Sequence, residues 1–343
     1  MPLAAGLNIF FRNRSGAGAG LKQRPPPAPC LSARFRRRGP GPAAPHDLGR
    51  PVIDTPILND PVFRTVVAPF AVSLVLAGLL RLSGGPKSGP AMMSLSIVAG
   101  VIVAFLLTGL AEPFPPKTGL GKAFYLIVAA ALLGLVFEVS YLAKPAEEPA
   151  LLGFPLVALI WLAWPKLMVG PGVGDVVVLS VAWIAGIVWL ARFRAMAAKA
   201  GALPGGLLLC LAGGGVAGTA LIADAVGLGL FAASVAVSAL GFALWRLAAL
   251  MLMGSPGSFG PLPVFSGGGA LLVFVYLMIV QVPRISLWAL LVLVLLPFVL
   301  LPFKRLLLFD TTASGLITAV LVSVLGGSLA AAAVGIAFLS VTS

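Results

Sequence analysis

Residues 227–250 read GLGLFAASVAVSALGFALWRLAAL, a run of 24 residues with one charge, Arg246. An α-helix of about 20 apolar residues crosses the hydrocarbon of a bilayer. In hydrocarbon only helices and closed barrels satisfy every backbone N–H and C=O. The run is continuous and does not alternate, which selects a helix over a barrel strand. The same texture recurs on both sides of it. Candidate spans fall at about 63–82, 91–111, 123–142, 150–168, 176–191, 204–223, 227–250, 264–282, 286–303 and 313–340. Breaker clusters separate them, among them Gly84-Gly85-Pro86, Lys144-Pro145, Gly170-Pro171-Gly172, Pro204-Gly205-Gly206 and the stretch Gly254 to Pro263. The span at 150–168 fits the pattern least, because Pro155 and Pro165 lie inside it.

Composition agrees. Hydrophobic residues make up 60% of the 343, charged residues 10%, and the mean hydropathy is +1.10, more apolar surface than a soluble core of this size can bury. The sequence therefore predicts an all-α fold, a polytopic transmembrane helix bundle of about ten spans with short loops and the lipid bilayer as its surroundings.

Residues 1–51 are a different material. They hold nine Lys or Arg and one acid, Asp47, within runs such as Arg24-Pro25-Pro26-Pro27 and Arg36-Arg37-Arg38-Gly39-Pro40. Too few large apolar residues are present to build a core, so a disordered basic tail is expected ahead of a transmembrane domain over 52–343. The tail supplies +8 of the formal +13, so the basic balance says little about the membrane domain, and nucleic acid is not an expected partner. Three readings of the tail stand: an arm for anionic lipid, an Arg-rich, acid-poor organellar transit peptide, or translated upstream sequence with Val52 as the alternative start. Positive-inside counting bears on the choice. Arg81, Lys87, Lys144, Arg192, Arg194, Lys199, Arg246, Lys304 and Arg305 fall on one side of the predicted spans. Arg64, Lys117, Lys122, Lys166 and Arg284 fall on the other. The first set is expected in the cytoplasm and residue 52 outside, which conflicts with a long basic tail and suits a start near Val52. A bacterial inner membrane fits that start, and an organellar membrane fits a transit peptide.

Missing residue types narrow the chemistry. The single histidine, His46, lies in the tail, which argues against bis-histidine haem, histidine-ligated zinc, a Ser-His-Asp arrangement and a histidine proton relay in the spans. Cys30 and Cys210 form no CxxC, and no phosphate-cradling GxxxxGK[ST] is present. No cofactor or metal is expected, and catalysis has no motif to carry it.

Intramembrane charge is the remaining pointer, because an ionisable side chain in a span is costly and usually faces a partner or a watery cavity. Three residues qualify: Glu138 near the end of the third span, Asp224 between the sixth and seventh, and Arg246 late in the seventh. Glu138 and Arg246 fall at the same end and are placed to pair. Each also has a plainer reading. Glu138 lies close enough to the loop at Lys144 to snorkel. Asp224 suits a loop or a helix N-cap. Arg246 beside Trp245 suits an interfacial anchor. Small-residue spacings at Gly214/Gly218, Ala182/Gly186 and Ala331/Gly335 let helices approach closely, within the bundle or between copies or partners. Pro297 and Pro302 should kink the ninth span.

From these features the leading expectation is a secondary carrier of a small solute, with Glu138, or failing it Asp224, loading a proton or cation. The alternative is a non-transporting subunit, assembly factor or scaffold. The third is a membrane enzyme on lipid-linked substrates, with Glu138 or Asp224 as base and Arg192 and Arg194 gripping phosphate.

Overall fold

The computed structural model describes residues 60–84, 92–140, 144–253, 259–299 and 312–342. The tail 1–51, the alternative start at Val52, Lys87, Lys304, Arg305 and Pro302 lie outside the described residues.

Among the described residues the chain forms ten helical segments. They are α1 (Phe63–Ser83), α2 (Leu95–Thr108), α3 (Gly119–Val139), α4 (Lys144–Met168), α5 (Val173–Ala200), α6 (Ala202–Ile222), α7 (Val226–Met253), α8 (Pro261–Gln281), α9 (Leu287–Phe298) and α10, which runs as Thr312–Leu321, Val322–Gly326 and Gly327–Thr342. Eight are long and apolar enough to cross a membrane, and α2 and α9 are shorter apolar helices. The chain is an all-α polytopic membrane protein. The span expected at 91–111 is thus shorter than drawn, residues 300–303 of that at 286–303 lie outside the described residues, and that at 176–191 extends to 28 residues.

Local chemistry explains the ends. Gly109 closes α2 with a left-handed φ of 70°, and Gly201 separates α5 from α6 at φ 88°. Thr118 caps α3, its hydroxyl accepting the Gly121 N–H at 3.0 Å. Pro149, Pro155 and Pro165 all sit inside α4, so the segment that fitted the pattern least is a 25-residue helix. At Pro297 the ninth helix tightens into a 3₁₀ turn, Leu296–Phe298, in keeping with the lost N–H of proline. Three π-helical turns widen the spans, at Phe63–Val67, Val264–Gly268 and Val322–Gly326. The first lies immediately ahead of Pro69, which has no N–H for the Thr65 carbonyl and whose ring would press on it, so a wider turn accommodates the proline.

Helix α8 is the axis of the bundle, with 89% of its apolar window buried against 22% for α5 and α10. Aromatic rings surround it. Phe105 stacks on Phe231 at 4.3 Å between centroids, and Phe274 lies 6.3 Å from Phe231. The small-residue faces serve this packing. Gly213 rests on the backbone of Ala236, Gly218 on Val334, and Gly186 under the Tyr276 hydroxyl, which donates to the Ala182 carbonyl at 3.3 Å. A Cβ added at Gly214 or Gly335 would meet no other helix within 4 Å.

Candidate functional site

The end of α3 meets the start of α8, and Glu138 makes the join. One carboxylate oxygen accepts the backbone N–H of Leu262 at 3.2 Å. Helix α8 opens with Gly260 in an extended conformation, followed by Pro261, and no side chain of its own caps it. Glycine has no side-chain oxygen to offer the orphan N–H groups of a first turn, so a neighbouring helix supplies a carboxylate, the group that a helix N-terminus favours. The fit is close: a Cβ on Gly260 would overlap the Glu138 carboxylate, and a Cβ on Gly134, one turn earlier in α3, would come within 2.9 Å of the Leu262 backbone. Glu138 is half-buried. It touches the backbone of the most enclosed helix and does not simply reach out toward the loop at Lys144.

Charges gather around this join. Arg194 of α5 forms a two-pronged ion pair with Glu147 in the first turn of α4, the second contact being 3.4 Å. Arg194, Glu147 and Arg246 all act electrostatically on Glu138. Arg246 is buried, 4% exposed, with its guanidinium 5.4 Å from the centre of the Phe242 ring. It therefore faces the bundle interior, unlike an anchor at the lipid surface. Its neighbour Trp245 lies across Gly78, with the indole N–H donating to the Leu74 carbonyl of α1. Glu138 and Arg246 share one end of the molecule, as the sequence placed them, but the carboxylate's hydrogen bond goes to Leu262.

Asp224 stands apart from this group. It is exposed, at φ 59°, in the turn between α6 and α7. Its own N–H donates to Leu221 O and that of Ala225 to Ala220 O at 2.9 Å. That pattern terminates α6, with Asp224 in the left-handed position usually given to Gly or Asn. The loop reading describes it; it closes α6 and does not cap α7.

Three arrangements had no signal strong enough to be singled out in the sequence. One is the Glu138–Leu262 cap, whose hint is Gly260-Pro261, a helix start without a capping side chain. A second is a loop anchored by Glu112, whose carboxylate accepts the Lys117 N–H at 2.8 Å, the Thr118 N–H at 3.1 Å and the Thr118 hydroxyl at 2.7 Å. The Thr118 hydroxyl, then the Thr118 and Lys117 amides, hold that carboxyl below the usual carboxylate range. The third is a cluster of buried serines, Ser73, Ser96 and Ser238, between α1, α2 and α7. No protein-family model matches this chain, and no curated protein matches it by sequence.

Proposed function

We propose that this chain is a multi-pass carrier that moves a small solute across a cell membrane, with Glu138 as the group that loads a proton or cation. The observation that carries the reading is the single hydrogen bond joining an intramembrane carboxylate to the start of the central helix. Ionised, the carboxylate complements the N-terminal end of α8 and accepts the Leu262 N–H. Occupied by a proton or a cation, it is a weaker acceptor, and the first turn of α8 loses its cap. The π turn at Val264–Gly268, within the same helix, gives a place for the segment to yield. Loading at Glu138 and movement of α8 are thereby linked in one event.

The test is thiol accessibility from both sides of the membrane. In the full chain carrying Cys30→Ser and Cys210→Ser, single cysteines replace Leu135 and Val139, which flank Glu138. Labelling of the same position by an impermeant reagent from either face supports alternating access and justifies a solute screen with Glu138→Gln as control. Labelling from one face only, or from neither, sinks the reading.

A second reading, a non-transporting subunit or scaffold, draws on the close packing of α8. Besides Gly134 against Leu262, a Cβ on Gly269 would lie 3.1 Å from Ala130, and one on Gly268 would lie 3.2 Å from Trp189. It expects one-sided or absent labelling and a partner that copurifies. The enzyme reading ranks third, because Arg194 is engaged by Glu147 and Arg192 lies 5.2 Å over the Phe298 ring, so both guanidiniums named for phosphate already have protein partners.

A further inference from the structure

Helices α4 and α5, joined by the Gly170-Pro171-Gly172 turn, leave between them a groove of about 150 Å³. Leu156, Ala163 and Leu167 line it from α4, and Val176, Ser180 and Trp183 from α5. Ala163 and Ser180 are short among larger apolar side chains, and the space lies over them. Ser180 returns its hydroxyl to the Val176 carbonyl at 2.8 Å, so its proton is already spent and the wall is apolar. Ile160 and Val176, which both line the groove, are exposed, and α5 has only 22% of its apolar window buried. The groove is therefore on the lipid side of the bundle.

Its length is that of one leaflet. From Leu167 to Leu156 is eleven residues of α4, about 16 Å at 1.5 Å per residue. Half the hydrocarbon thickness of a bilayer is about 15 Å. The groove thus runs from the end of α4 to the middle of the membrane. So small a space admits a flexible chain and not another helix, which is about 10 Å across.

Hydrocarbon alone selects nothing, because every lipid brings the same chains. Selection rests with two charges at the Gly170 end. Lys166, next to Leu167, stands in the last turn of α4, and Asp175, next to Val176, in the first turn of α5. Both are exposed, and among the described residues neither forms an ion pair, with the other or with a third residue. One Asp175 carboxylate oxygen accepts the Gly172 N–H at 3.2 Å, which holds the group at the turn and leaves the other oxygen facing outward chemistry. One positive and one negative charge, unpaired and flanking the same turn, match a headgroup that carries both signs. Its phosphate would meet Lys166, and its ammonium would donate to Asp175. A headgroup with negative charge alone would be attracted by Lys166 and repelled by Asp175.

We propose that the α4–α5 groove is a binding site for one zwitterionic phospholipid of the ethanolamine type, with an acyl chain in the groove and the headgroup bridging Lys166 and Asp175. The inference goes beyond the carrier reading and does not depend on it: binding here is measurable whatever Glu138 does.

The full-length protein in mild detergent is mixed with equal amounts of phosphatidylethanolamine and phosphatidylglycerol and weighed by native mass spectrometry. The expected result is one retained phosphatidylethanolamine per chain, favoured about fivefold over phosphatidylglycerol, as one exposed charge contact can supply. Ser180→Trp fills the groove from an exposed position and should abolish retention, whereas Val320→Trp on the outward face of α10 should keep it. Asp175→Asn should turn the preference toward phosphatidylglycerol, because Lys166 then acts alone. Should Ser180→Trp fail to fold, Asp175→Asn carries the test, since it reads a preference between lipids and not stability. No retained lipid, equal retention of the two lipids, or retention that Ser180→Trp leaves intact overturns the proposal. A dimer that Ser180→Trp dissociates would mean that a second copy covers the groove, and overturns it as well.

Discussion

Helices α5 and α8 are equally apolar, each with a window of mean hydropathy 2.1, yet 22% of the first is buried and 89% of the second. Inside a bilayer, lipid is as apolar as leucine, so hydropathy reports that a helix is in the membrane and is silent about its neighbours. The difference lies in small and polar residues. Helix α8 carries Ser266 and three consecutive glycines, Gly267 to Gly269, at its π turn, and each glycine abuts a neighbouring helix. On α5, Gly174 has open space around it, and Val176, Val177, Val181 and Ile184 face outward. A membrane bundle is specified by where backbones can approach and by where polar groups are satisfied.

The largest expected effect comes from blocking an approach to α8. Gly134→Val puts a branched side chain onto the Leu262 backbone, which cannot move aside as a flexible side chain would, and should cost about 3 kcal/mol or more. Fluorescence-detected size exclusion should show loss of the monodisperse peak. Gly174→Ala on α5 meets nothing within 4 Å and should leave the peak unchanged or slightly more heat-resistant, since alanine favours helix. Equal behaviour of the two variants would break the contrast between axis and periphery.

A smaller effect separates packing from polarity at the same axis. Glu138→Ala removes the acceptor of the Leu262 N–H and should cost about 1–2 kcal/mol, as losing a helix cap does. Glu138→Gln keeps an amide oxygen in reach and should recover about half of that. Thermal midpoints of the two variants in the same lipid decide it. Matching losses would mean that the charge, and not the hydrogen bond, is what α8 requires.

How much of this could be read from the sequence depends on the range of the interaction. Ten helical segments were legible because apolar run length and Gly/Pro breakers are local properties. The shortness of α2 was not, because adjoining apolar residues such as Leu110 and Ala111 read the same in or out of a helix. Of the three candidate residues, Glu138 and Arg246 share one end because successive spans alternate in direction, which a sequence reveals. That Glu138 caps Leu262, across 124 positions, depends on α3 and α8 meeting at Gly134 and Gly260, and nothing local marks that. The sequence leaves Asp224 between a loop residue and a helix N-cap, because aspartate suits both and Ala223 and Ala225 beside it mark no helix boundary. Its left-handed φ settles its structural role as the end of α6. The serine junction was hidden for the opposite reason: serines are unremarkable singly, and only the packing of α1, α2 and α7 brings Ser73, Ser96 and Ser238 together.

The smallest effect tests the contrast between the bundle and its loops. Glu112 lies outside the spans, and its folded-state pKa is depressed by the Thr118 hydroxyl and by the Thr118 and Lys117 amides. A depressed carboxyl contributes stability that is present above its unfolded pKa and disappears as pH falls through the folded one. Its contribution should therefore be complete at neutral pH and fade below the ordinary carboxylate range of about 4. The group is solvent-exposed, so the effect on the global unfolding midpoint should be slight. Hydrogen exchange is the more sensitive measurement, because loops open with far less free energy than helices. On acidification the amides of Lys117 and Thr118 should lose protection while those of α8 keep theirs. In Glu112→Gln the two loop amides should exchange faster already at neutral pH and respond little to acid. If α8 loosened together with the loop, the Glu112 turn and its bond from the Tyr125 hydroxyl at 2.8 Å would belong to the same cooperative unit as the bundle axis. The helix core would then extend further toward the membrane surface than burial alone marks it.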